Sequence, residues 1–105
     1  MSVSTHVLDA VLGRPAMGIA VRLFAANELI AEGVTDADGR CRLVDGATGM
    51  GTHRLVFTTG PWFAEQGRET FYPEVVLTFA VLEPGEHHHV PLLLSPFAYS
   101  TYRGS

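Results

Sequence analysis

The stretch from His87 to Ser105 concentrates groups that can do chemistry: three consecutive histidines, an apolar run, then Tyr99, Tyr102 and Arg103. Chain ends are normally polar and poorly ordered. Titratable and aromatic side chains gathered around an apolar segment therefore point to a built site. On an extended strand His87 and His89 project to one face and His88 to the other. Imidazole titrates near neutrality, so such a pair suits general acid–base work. Two imidazoles on one face, completed by His6 or His53, are also compatible with a metal site, but no carboxylate or cysteine pattern accompanies them. A structural histidine cluster is the third reading, and the residues alone leave all three open.

Other candidates are simpler. Arg40 follows Asp38-Gly39 at the mouth of a turn, and Arg103 lies near the end of the chain. An arginine lining a pocket binds planar anions through its fork of donors; on an open surface it is merely solvated. Cys41, beside Arg40, has the neighbour that lowers a thiol pKa, yet an unpaired cysteine on a strand is more commonly a small buried residue. Asp36-Ala37-Asp38-Gly39 resembles the start of a calcium loop but lacks the remaining ligands and the closing glutamate, so it reads as a turn. The chain has no Gly-x-Ser-x-Gly elbow, no P-loop and no dinucleotide fingerprint.

The elements that must position these residues are short and β-rich. Strands are expected around Ser4–Asp9, Gly18–Phe24, Glu28–Thr35, Arg40–Val44, His53–Thr58, Val75–Leu82, His87–Leu94 and Phe97–Tyr102. Turns at Gly13-Arg14-Pro15, Ala26-Asn27, Asp36–Gly39 and Pro84-Gly85, and a glycine-rich loop over 45–52, separate them. One short helix is expected, with Gly60 as N-cap, Pro61 at the first helical position and Gly67 ending it. Trp62 and Phe63 would pin it to a sheet. Eight strands at this spacing predict a β-sandwich. Val90–Leu94 is continuously apolar, so both faces of that strand are expected to be buried. Pro91 has no amide donor, which suggests an edge or a bulge. An apolar edge strand needs cover, and a second subunit is the expected one.

Size and charge bound the rest. The chain has 105 residues, enough for one domain spanning 1–105, and a single cysteine that excludes an internal disulfide. A net charge of −4 argues against non-specific nucleic-acid binding. No apolar run approaches the length of a membrane span, and Met-Ser-Val-Ser-Thr-His does not read as a secretory signal. A reducing, cytoplasmic setting is expected, with a peroxisome as the eukaryotic alternative. Only 17% of residues are charged, below the usual ~25%, which again suggests a partly covered surface.

Four segments together resemble the transthyretin-like superfamily and, within it, its 5-hydroxyisourate hydrolase branch. They are Ser4-Thr5-His6-Val7-Leu8-Asp9, Asp38-Gly39-Arg40-Cys41, Phe71-Tyr72-Pro73-Glu74, and His87-His88-His89-Val90-Pro91-Leu92-Leu93-Leu94-Ser95 leading into Tyr99-Ser100-Thr101-Tyr102-Arg103-Gly104-Ser105. The resemblance spans nearly the whole chain. It implies an all-β sandwich of two four-stranded sheets with one short helix, assembled as a homotetramer, a dimer of dimers with active sites in a central channel. It also implies hydrolytic ring opening of 5-hydroxyisourate to 2-oxo-4-hydroxy-4-carboxy-5-ureidoimidazoline in urate breakdown, with no metal or organic cofactor. The residues it marks as catalytic are His6, Arg40, His89 and Tyr102; those it marks as substrate-binding are His6, Arg40, Tyr102 and Ser105. His88 stands where the family commonly has tyrosine. The superfamily's carrier branch, which transports thyroid hormone, replaces the first-strand histidine, the turn arginine, the strand histidine and the terminal Tyr-Arg-Gly-Ser. This chain keeps all four, so the hydrolase is favoured over a small-aromatic-ligand carrier. Fold alone would not separate the two.

Overall fold

Val3, Thr5 and Val7 alternate with Ser4 and His6, giving the first strand one apolar and one polar face. In the computed structural model, which describes residues 2–45 and 49–105, this strand, β1 (Ser2–Asp9), is the centre of the first sheet. The short β2 (Arg14–Pro15) pairs with its end at Leu8 and Asp9. Next come β3 (Ala20–Ala25), β4 (Glu28–Val34), β5 (Arg40–Asp45), β6 (Gly51–Phe57), α1 (Thr59–Glu65), β7 (Val75–Val81), β8 (His87–Leu94) and β9 (Tyr99–Thr101). β1 runs parallel to β8 on one side, with β9 antiparallel beyond it, and antiparallel to β5 and β2 on the other. The second sheet has the order β4-β3-β6-β7.

The inner faces meet in one core. Val3, Val7, Leu92 and Leu94 come from the first sheet, and Val21, Leu23, Leu55 and Phe57 from the second. Each such fully buried side chain contributes about 1.5–3 kcal/mol. The predicted two-sheet sandwich is therefore observed. Arg14–Pro15, expected to be part of a turn, adds a two-residue ninth strand. The turn itself is displaced to the residues just before, where the Gly13 amide reaches the Asp9 carbonyl. Part of the predicted glycine-rich loop, 46–48, lies outside the described residues.

The helix begins earlier than its glycine signal suggests. Thr58 is the N-cap, without a side-chain bond, and Gly60 lies inside the first turn. The predicted stop at Gly67 holds. Gly67 adopts φ +66°, its amide donates to the Ala64 carbonyl, and the Arg68 amide donates to that of Phe63, a Schellman closure. Phe63 is buried in the core, and Trp62 Nε1 donates to the Met17 carbonyl at 2.8 Å. Arg68 then bridges to the buried Asp9 at 2.7 Å, its guanidinium lying over the Phe63 ring. Burial opposes ionisation of Asp9, but Arg68 and the Leu12 and Val11 amides outweigh it and hold the carboxyl below its ordinary range.

The edge expected at β8 is not there. β8 is internal, flanked by β1 and β9. Pro91 causes no slip: the ladder skips it between the Leu92–Thr101 pair and the His89–Gly104 bridge, while Thr101 Oγ1 donates to the Pro91 carbonyl. On that side of the sheet the edge strand is the exposed β9. Among the described residues, no helix is long and apolar enough to cross a membrane.

Candidate active site

The polar face of β1 supplies the floor of the site. Side chains at paired positions of neighbouring strands share a face, so the in-register parallel pairing of β1 with β8 sets Ser2 beside His87 and Ser4 beside His89. On the opposite flank His6 pairs with Arg40 and Ser4 with Arg42, after a bulge between Val3 and Ser4. The outer face of one sheet thus carries both serines, three imidazoles and two guanidinium groups.

The turn before β5 fixes where Arg40 emerges. Asp36 Oδ1 accepts the amides of Asp38 and Arg40, each at 2.9 Å. This is the backbone-bonding turn expected of that aspartate. Gly39 sits at φ +76°, and a Cβ there would come within 2.3 Å of the Val7 carbonyl oxygen, so no other residue fits without moving backbone. The Val7 amide in turn donates to the Gly39 carbonyl at 2.7 Å. Arg40 is thereby delivered opposite His6.

Ser4, Arg40, Arg42, His87, His89 and Ser105 border a cleft of about 360 Å³. Among the described residues lining it no side chain is acidic, and the guanidinium groups of Arg40 and Arg42 favour an anion. His6 stands beside the cleft, between Arg40 on β5 and Pro91 on β8. Partial burial of His89, followed by the proximity of His87, His6 and Arg40, lowers its pKa below the ordinary imidazole value. The shift favours the neutral imidazole, the form a general base needs.

The histidines and serines are linked. Ser4 Oγ lies 2.9 Å from His87 Nε2 and 2.8 Å from His89 Nδ1, and Ser2 Oγ is hydrogen-bonded to His87 Nδ1. The two rings stack nearly parallel, 17° apart, with centroids 6.2 Å from each other. Neither serine stands out as a site residue in the sequence, and His87 has no role assignable from it. The usable signal was the alternation Ser2-x-Ser4-x-His6 matched to His87-x-His89.

Tyr102 takes a different position from the other candidates. It lines a second groove of about 330 Å³, with Leu77, Phe79, Val90 and Thr101, and His89 borders both cavities. Arg103 pairs with Glu86 at 3.2 Å on the surface. His88 points inward, buried, its Nδ1 on the Glu86 carbonyl. His53 belongs to the second sheet, buried against Phe79. Among the described residues no three His, Cys, Asp or Glu side chains are grouped to hold a metal ion. Cys41 is buried; desolvation, then Asp36, raise its thiol pKa, the opposite of an activated nucleophile.

Comparison of the sequence and the fold with known proteins points to one family. The sequence model of the HIUase/Transthyretin family matches residues 3–104. A protein of Caulobacter vibrioides named 5-hydroxyisourate hydrolase is 45% identical, over 97% of this chain and 96% of that protein. The solved structure of Klebsiella pneumoniae 5-hydroxyisourate hydrolase superposes with a TM-score of 0.92 at 39% identity, covering all of both chains. Sea bream transthyretin in complex with thyroxine superposes with a TM-score of 0.89 at 33% identity, over 97% of this chain and 93% of that one.

Proposed function

Because the chain belongs to the HIUase/Transthyretin family, we propose that it is an enzyme that hydrolyses 5-hydroxyisourate, opening the six-membered ring at a carbonyl–nitrogen bond. The observation that carries this reading is the cleft in which Arg40 meets a His89 whose pKa is lowered, with His6 alongside and no acidic side chain in the lining. A carrier needs shape and apolar walls; this cleft has a base and a guanidinium. Relatives named for the hydrolase support the same choice.

Arg40 binds the planar, anionic ring and stabilises the oxyanion that develops at the carbonyl. Removing one such donor typically costs about 2.7–4 kcal/mol of transition-state stabilisation. His89 takes a proton from water as its oxygen attacks the carbonyl carbon, help typically worth ~10²–10⁴-fold. The carbon–nitrogen bond then breaks and the leaving nitrogen receives a proton. His6 orients the water or the ring, and Ser105 donates a hydrogen bond to it. Tyr102 contributes from the groove on the far side of His89. Water attack on an activated carbonyl needs only acid–base and electrostatic help, so no cofactor is invoked. Four copies form a dimer of dimers, and the exposed Val11, Leu12, Phe97 and Tyr102 offer apolar contact surface for it.

The test is the ultraviolet absorbance of freshly generated 5-hydroxyisourate, with and without the protein. Loss of signal faster than spontaneous decay is expected. Saturable binding of thyroxine with decay at the spontaneous rate would replace the hydrolase by the carrier reading.

A further inference from the structure

The face that carries the site depends on one extra residue in β5. Asp45 and Val44 pair with Ser2 and Val3. Beyond the bulge Arg42, Cys41 and Arg40 pair with Ser4, Thr5 and His6, and Leu43 is left with no opposite number. A slip of one residue moves every side chain to the other face of a sheet. In a regular ladder Arg42 would face Thr5 and Cys41 would face His6. Both guanidinium groups would then turn toward the core, where Thr5 and Cys41 lie buried. The bulge thus aims Arg40 and Arg42 together at the cleft. The proposed chemistry uses Arg40 and gives Arg42 no task.

Position and charge both bear on that task. The pairings set two rows of three residues across β8, β1 and β5: His89, Ser4, Arg42 and, two residues along, Pro91, His6, Arg40. Neighbouring strands lie about 4.8 Å apart, so the backbones at His89 and Arg42 are roughly 10 Å from each other. A flat two-ring molecule lying over Ser4 bridges that span, with one edge at His89 and the other at Arg42. Charge makes the second demand. Attack of water on the amide carbonyl and rupture of the carbon–nitrogen bond turn a neutral carbonyl into a carboxylate. One water proton goes to the nitrogen and one to solvent. The ring is already an anion, so during attack negative charge sits both on the ring and on the carbonyl oxygen. A guanidinium forks onto one planar group, so two charges need two of them.

We propose that Arg42 anchors the anionic far edge of the substrate ring, leaving Arg40 for the oxyanion. This rests on the hydrolase reading above and gives the site its preference for anionic bicycles over neutral cyclic amides. The ring's own charge is the same before and during attack. Arg42 therefore binds ground state and transition state alike and acts on KM. Arg40, at the carbonyl where charge grows, acts on kcat. Burial, His87, His6 and Arg40 are what lower the His89 pKa, so a change at Arg42 leaves the base as it was.

The experiment compares wild type, Arg42→Gln and Arg42→Lys in two assays. One is steady-state hydrolysis of 5-hydroxyisourate across pH; the other is equilibrium dialysis of urate, a planar bicyclic anion. Arg42→Gln should raise KM and weaken urate binding by about tenfold or more. Its kcat should stay within about threefold of wild type, with the acid limb of kcat/KM unmoved. Arg42→Lys, which keeps the charge without the fork, should recover part of both losses. Wild-type KM and urate affinity in Arg42→Gln overturn the anchor. A loss confined to kcat, or a shifted acid limb, also overturns it, because either would put Arg42 at the reacting centre. The dialysis keeps the two claims apart. If wild type fails to accelerate the decay, the hydrolase reading falls. Urate held by wild type and lost by Arg42→Gln then sustains the anchor, whereas urate bound equally by both, or by neither, removes it.

Discussion

Gly104 lies directly against His89. Its amide donates to the His89 carbonyl at 2.9 Å, and a Cβ at this position would fall 2.4 Å from Cδ2 of the ring. The glycine fixes the ring plane on one side while Ser4 holds Nδ1 on the other. Gly104→Ala should therefore displace the imidazole and reduce kcat by about tenfold to a hundredfold. The melting temperature should move little, because the position is at the sheet margin. Steady-state kinetics and thermal unfolding read the two effects, and an alanine variant with native kcat would show that the ring tolerates the shift.

Arg40 is the proposed anion ligand and a positive neighbour of His89. Arg40→Ala should lower kcat/KM by about 10²–10³-fold. It should also change the pH profile. Protonation of His89 becomes easier once a positive neighbour is gone, so its pKa rises. The acid limb of kcat/KM, expected below about pH 6.5 in wild type, should move toward higher pH in the variant. A limb that stays in place, or moves down, argues that another group is the base.

His6 and His89 sit on different strands and neither replaces the other. Alanine at either should cost at least about tenfold in turnover, with the native assembly retained in sedimentation. Near-native turnover in one variant removes that residue from the chemistry.

Cys41 is buried with its thiol pKa raised. It should resist alkylation in the native protein at pH 8 and react on addition of denaturant. Cys41→Ala should keep wild-type kcat. Rapid native labelling that abolished activity would return it to the list of candidate nucleophiles.

The buried Asp9–Arg68 pair ties the end of β1 to the helix. Asp9 has a lowered folded pKa. Its contribution to stability is thus present above the ordinary carboxylate pKa and is lost as pH falls through the folded value. Arg68→Met should destabilise by about 3 kcal/mol and reduce that acid-side loss, since the Leu12 and Val11 amides still bond Asp9. Urea midpoints measured between pH 2 and 7 test both the size and the sign.

Local patterns made much of this fold legible, because alternation is a near-neighbour property. The face carrying His87 and His89 follows from period two, and Gly67 and Asp36 mark a helix stop and a turn through their own backbone chemistry. Long-range pairing leaves no such trace. Ser4 lies 85 residues from His89 in sequence, so nothing near either announces that they touch, and the serines escaped notice. Pro91 misdirected the reading of β8 because a missing amide reads as an edge, whereas the ladder here simply omits one step. Tyr102 aligned with the catalytic set by motif, yet the chain carries it past His89 into the neighbouring groove.

The parallel union of β1 and β8 has a consequence for how the protein is made. During translation the first strand must wait for almost all of the polypeptide before its partner leaves the ribosome, a long-range closure of the kind that folds slowly. Competence should thus be acquired late and all at once: nascent fragments lacking the final hairpin ought to be inert, and recovery of turnover after dilution from urea ought to coincide with the slowest refolding phase.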